Sequence, residues 1–148
     1  MTDRIEKFVE IAAPVDRVWR ALTDHREFGA WFRVALDQPF EQGTLSTGRI
    51  TAPGYEHVAW NAEIVVIEPM HRFAYRWKPY AIDPNRDYSD EPTTLVEFTL
   101  APAGQGTRLT VVESGFQALP DDRREEALRS NTGGWEAQMA NIEAYVAT

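Results

Sequence analysis

Cysteine is absent from the 148 residues, which excludes disulfide staples, thiolate metal sites and a cysteine nucleophile. Histidine occurs only at His25, His57 and His71, too scattered for a short metal motif, and no HExxH segment occurs. Long apolar runs are missing as well: none approaches the roughly 20 residues of a membrane-spanning helix. The first thirty residues lack a basic segment leading into an apolar one, so no secretory signal is expected. Positive charge is in deficit. Fifteen Lys and Arg stand against 23 Asp and Glu, a formal net charge of −8, which repels nucleic-acid phosphates and anionic membrane surfaces. These absences predict a cytoplasmic protein with no nucleic-acid or membrane partner.

Three fragments look like chemical motifs and fail on inspection. Ser114-Gly115 follows Glu113 rather than glycine, so it is no G-x-S-x-G elbow. Gly104-x-Gly106 runs on to Leu109 where a dinucleotide fingerprint needs a third glycine, and reads as a hairpin turn. Asp83-Pro84-Asn85-Arg86-Asp87 opens like a calcium loop, but Tyr88 stands where the sharp turn needs glycine and Thr94 where the bidentate glutamate belongs. No metal, no cofactor and no catalytic residue is assigned.

What is present is ordinary globular composition, 43% hydrophobic and 26% charged, in a length that predicts a single domain over residues 1–148. Ile5 to Ile11 reads as a strand. Pro14 opens a helix in which Val15, Val18, Trp19 and Leu22 share a face. Asp24 and Glu27 have capping-box spacing before a second short helix with Phe28, Trp31 and Phe32. From Val34 the period becomes two. Trp60, Ala62, Ile64 and Val66 share one strand face, as do Phe73, Tyr75 and Trp77, then Val96, Phe98 and Leu100, then Leu109 and Val111. Their tight connections require antiparallel pairing. A long helix closes the chain, with Leu128, Thr132, Trp135, Met139, Ile142 and Val146 in one stripe. The class is α+β: a curved antiparallel sheet of about six to seven strands around the C-terminal helix, with two short helices after the first strand.

Ala13-Pro14 through Val18-Trp19, Ala21-Leu22-Thr23-Asp24 and the following Trp31-Phe32 resemble the START-like (SRPBCC, helix-grip) superfamily. Glu113-Ser114-Gly115-Phe116 and Asn131-Thr132-Gly133-Gly134-Trp135-Glu136 are similar to its branch named after the activator of a heat-shock-protein ATPase. The resemblance implies a sheet gripping the long helix with an apolar cavity between them, and a binding module for a small apolar or aromatic molecule rather than an enzyme. Two alternatives follow from it: a cyclase or dehydratase-type enzyme using the same cavity, and a co-regulator of a chaperone ATPase acting through its surface. The name-giving activators carry a further chaperone-docking domain with no counterpart in this sequence, so a chaperone partner is the lesser expectation.

The expected cavity walls are Phe28, Trp31, Trp60, Phe73, Tyr75 and Trp77, with Phe98, Val111, Phe116 and Trp135 from the later elements. Periodicity cannot separate a pocket wall from plain core, because both need an inward apolar face. Glu113 alternates onto the face of Leu109 and Val111, and Asn131 and Gln138 flank the helix stripe, so these three are the candidates to orient a ligand's polar group. An inward carboxylate needs partners, since a buried one without them would take up a proton. Gly133-Gly134 interrupts a strong helical pattern at about 1 kcal/mol per glycine, and Gly134 is expected to leave room for the ligand. Finally, Tyr80 to Pro92 sets Asp83, Asp87, Asp90 and Glu91 against Arg86 alone, which predicts a poorly protected loop over the cavity mouth.

Overall fold

A computed structural model describes residues 4–147. The elements run β1 (Ile5–Ile11), α1 (Val15–Thr23), α2 (His25–Phe32), β2 (Val34–Leu36), β3 (Leu45–Ile50), β4 (Ala59–Glu68), β5 (Arg72–Trp77), β6 (Thr94–Ala103), β7 (Gly106–Ser114), a 3₁₀ turn (Phe116–Ala118) and α3 (Asp121–Val146). The α+β, helix-grip arrangement is therefore observed. Seven strands form one antiparallel sheet in the order β1-β7-β6-β5-β4-β3-β2. Hairpins join β2 through β7 in sequence, while β1 pairs with the last strand, Ile5 opposite Glu113. The α1–α2 pair thus carries the chain from one sheet edge to the other. The long helix α3 lies against β1, α1 and α2, so both helical layers share one side of the sheet.

Local chemistry sets the boundaries. Asp24 caps α2, its Oδ1 accepting from the backbone N–H of Arg26 at 2.9 Å and Glu27 at 3.1 Å. The return half of the capping box is not made: the Glu27 carboxylate accepts instead from Arg17 at 2.7 Å and Arg20 at 3.0 Å on α1, because charge-assisted partners outcompete a neutral backbone donor. Gly115, at φ 102°, takes the left-handed conformation that turns the chain out of β7 into the 3₁₀ turn and buries Phe116.

Two details of the side-chain pattern depart from simple periodicity. A register shift between Ile64 and Val66 leaves Val65 unopposed, so Val66 faces Ala74 and Ile67 faces Phe73. Val66 therefore leaves the inner face it was expected to share with Trp60, Ala62 and Ile64, and Ile67 replaces it against the core. On α3, Trp135, Met139, Ile142 and Val146 are buried as expected, but the first turns bury Arg123 and Ala127 while Leu128 and Thr132 are half-buried. The Thr132 hydroxyl is turned back onto its own helix, donating to the Leu128 carbonyl at 2.7 Å.

The core is dominated by touching rings. Phe28 meets Trp31 edge-on with centroids 4.8 Å apart and stacks on Phe32 at 4.9 Å. Trp60 reaches Tyr75 at 5.3 Å, and Phe98 reaches Trp135 at 5.7 Å. Such pairs add about 0.5–1.5 kcal/mol each beyond area burial.

α3 is continuous through Gly133 and Gly134. A Cβ built on either meets no atom within 4 Å beyond its chain neighbours and its own turn of helix backbone, so close approach of another element is not the reason for the pair. Gly133→Ala and Gly134→Ala should each stabilise the protein by about 0.5–1 kcal/mol, measured by chemical denaturation. Destabilisation by either would show that α3 departs from helical geometry there.

Candidate functional site

Glu113 sits on β7 two residues after Val111, and the alternation of the strand turns it inward to zero exposure. Its carboxylate accepts four hydrogen bonds. At Oε2, Trp77 Nε1 donates at 2.8 Å and Thr94 Oγ1 at 2.6 Å. At Oε1, Asn131 Nδ2 donates at 2.9 Å and Trp135 Nε1 at 2.8 Å. Trp77 ends β5, and Thr94, its cross-strand partner, begins β6. Asn131 and Trp135 are one turn apart on α3, the spacing that puts both side chains on one face. None of the ion pairs among the described residues involves Glu113. Three of the four partners are indole or amide N–H groups, which can only donate, so the set suits a hydrogen-bond acceptor at its centre.

Tyr75 lies nearby with the opposite problem. Its hydroxyl is buried without a hydrogen-bond partner. Burial pushes its pKa well above the ordinary tyrosine value, and the Glu113 charge raises it further.

Beside this cluster the structure opens a cavity of about 680 Å³, within the usual range for small-molecule sites. Phe32, Trp60 and Trp77 form its aromatic wall, and Tyr55, Tyr80 and Tyr88 line it from the two flanking loops. Asn61, Glu63, Arg76, Lys78 and Asn131 supply polar groups. A smaller cleft of about 100 Å³ shares Phe32, Trp77 and Asn131 and adds Gly134, Trp135 and Gln138. Trp77 and Asn131 thus border both spaces while holding Glu113 with their N–H groups.

Of the residues expected from sequence, Trp60, Trp77 and Asn131 line the larger cavity, and Gly134, Trp135 and Gln138 border the cleft. Glu113 lies buried under Trp77 and Asn131. Phe28, Trp31, Phe73, Tyr75, Phe98, Val111 and Phe116 are buried in the core and line neither space. Tyr80 and Tyr88 belong to the loop expected over the cavity mouth, though neither was named as a wall, and Tyr55, in a loop without periodicity, was not anticipated.

The segment after β5 also differs from its sequence reading, in which Arg86 alone balanced four acids. Arg123, only 5% exposed, enters from the first turn of α3. Its Nε donates to Glu91 at 2.9 Å, Nη1 to the Tyr80 carbonyl at 3.0 Å and Nη2 to the Pro79 carbonyl at 2.7 Å. The guanidinium also lies 4.7 Å from the Tyr88 ring centroid. Arg86 bonds both Glu91 and Asp122, and Lys78 Nζ donates to the carbonyls of Tyr88 and Ser89. His57 meets the Ile82 carbonyl at 2.9 Å. Tyr80 takes φ +50°, a conformation rare for a bulky residue, and Arg123 holds it by its carbonyl. The loop is anchored because Arg123, distant in sequence, and Lys78, at the loop's own start, both fold onto it.

No helix among the described residues is long and apolar enough to cross a membrane. The family described as Activator of Hsp90 ATPase homolog 1-like protein matches residues 12–147. No curated protein matches the chain. Among solved structures, DynU16, described as a putative protein in the dynemicin biosynthetic locus, is 26% identical over 100% of this chain and 48% of its own, with a TM-score of 0.77. This chain therefore spans about half the length of that relative. Protein MLL2253 from Mesorhizobium loti is 23% identical, with 97% of this chain and 96% of that one covered and a TM-score of 0.76. CalU16 from Micromonospora echinospora is 22% identical, with 97% and 75% covered and a TM-score of 0.67. The latter two identities speak to the fold alone.

Glu113→Gln places an NH₂ among obligate donors and should destabilise the protein by about 3 kcal/mol. Tyr75→Phe removes an orphan hydroxyl and should be neutral or stabilising by about 1 kcal/mol. Denaturant midpoints check both, and a reversed order would contradict the arrangement. Arg123→Met should speed protease cleavage between residues 80 and 92 several-fold while the rest of the fold still melts cooperatively; an unchanged cleavage pattern would show that the latch does not hold the loop.

Proposed function

The chain belongs to the Activator of Hsp90 ATPase homolog 1-like family, and from that premise we propose that it binds a small, largely aromatic molecule in the cavity beside Trp60 and Trp77, without transforming it. The observation that carries this reading is the cavity itself: about 680 Å³ with aromatic walls from Phe32, Trp60 and Trp77 and tyrosines from both flanking loops. Flat rings stacked or set edge-on against such walls gain area burial and quadrupole complementarity together. The surface of a protein of net charge −8 disfavours anionic macromolecules but not a neutral ligand.

Binding without chemistry is favoured by the state of Glu113. A general base needs a free lone pair within reach of the substrate. Both oxygens of this carboxylate are occupied by donors, and Trp77 and Asn131 lie between it and the open space. Nothing in the site geometry favours a cyclase-type reaction, and no feature described above favours a chaperone-binding surface.

Aromatic library compounds should raise the melting temperature in proportion to the logarithm of their concentration, as mass action requires. Ala81→Trp fills the cavity wall without touching the Glu113 cluster and should abolish those shifts. Flat melting curves across the library for the unmodified protein, or equal shifts in Ala81→Trp, would contradict the proposal.

A further inference from the structure

The deep end of the cavity is nearly drained of hydrogen-bonding capacity by the protein itself. Trp77 Nε1 is committed to Glu113 and Trp60 Nε1 to the Ser46 hydroxyl at 3.0 Å, so both indoles offer a ligand their ring faces and no donor. Phe32 has no polar side-chain atom. In the adjoining cleft, Gln138 is used at both ends, its Nε2 on the Phe32 carbonyl at 3.1 Å and its Oε1 on Asn141 Nδ2 at 3.0 Å.

Asn131 is the exception. Amide orientation follows from the hydrogen-bond network, and here the network fixes it: an acceptor-only oxygen of Glu113 faces the amide, so Nδ2 must point to Glu113. The polar atom that Asn131 has left for the cavity is Oδ1, which has no partner among the described residues. A carbonyl oxygen accepts and cannot donate. It is held on α3, one turn before Trp135, which bonds the same Glu113 oxygen.

Resting on the ligand-binding reading above, we infer that the ligand of this cavity carries a hydrogen-bond donor on its aromatic skeleton, a phenol or other hydroxyl, which Asn131 Oδ1 accepts. Asn131 is then a specificity-determining residue, and Glu113 acts through it as a positioning residue. The donors and charges at the outer end decide less. Asn61, Glu63 and Arg76 are exposed, where water competes with any ligand group, and Lys78 is engaged by two loop carbonyls.

Three naphthalenes of nearly equal size test this: 2-naphthol, which can donate; 2-methoxynaphthalene, which can only accept; and 2-naphthoate, which is anionic. Titration followed by tryptophan fluorescence and calorimetry should give 2-naphthol roughly fivefold tighter binding than 2-methoxynaphthalene, the worth of one net hydrogen bond. Equal or tighter binding of the methoxy compound overturns the inference and leaves the ligand-binding reading standing. Tightest binding of 2-naphthoate also overturns it, because the polar end is then read by Arg76. Binding of none of the three overturns the inference together with the reading beneath it. In Asn131→Ala the naphthol and methoxy compounds should bind alike, and a retained fivefold preference would assign the hydroxyl to another group. That variant also removes a donor from Glu113, so if it does not fold, the comparison in the unmodified protein decides.

Discussion

Removing a carboxylate from water costs several kcal/mol unless its lone pairs are met inside the protein, and at Glu113 donors from β5, β6 and α3 meet them. No cation among the described residues takes part, so the compensation comes from directed dipoles, which work only at short range and fixed angle. That demand ties the end of β5, the start of β6, the end of β7 and the middle of α3 to one point. It also spends the N–H groups of Trp77, Trp135 and Asn131 on the inward side. What those residues turn toward the open cavity, ring face and carbonyl oxygen, follows from the same constraint.

A second tether holds the other wall. Arg123 on α3 grips the carbonyls of Pro79 and Tyr80 and the carboxylate of Glu91, and through them the loop that carries Tyr80 and Tyr88 to the cavity. The helix therefore organises both sides of the site, Asn131 and Trp135 from its middle and Arg123 from its first turn. The guanidinium suits this position because its planar set of donors can satisfy two carbonyls and a carboxylate at once.

The fold was legible in sequence because its elements are strongly periodic: β1 and the aromatic faces of β5 and β6 fall where the alternation puts them. The inward turn of Glu113 was legible for the same reason. Its four partners were less so, since Trp77 and Thr94 lie 36 and 19 residues away in sequence and meet it only through sheet register. Phe73, Tyr75 and Phe98 read like cavity walls and are packed core; one inward alternation serves both, and only the distance across to the opposite layer separates them. Arg123 gave no signal, because a basic residue in the first turn of a helix reads as a solvated surface group. Val66 failed for a local reason, a bulge that no residue type announces.

The central claim is that Glu113 holds the indoles of Trp77 and Trp135, and hydrogen exchange of the five tryptophan indole N–H groups, followed by nitrogen-15 NMR, reads it directly. If the carboxylate binds both, their indole protons exchange only through opening of the fold, at rates near those of the most protected backbone amides of β6 and β7. Rapid exchange of either indole while those amides stay protected would contradict it, and would mean that the carboxylate does not set the cavity wall.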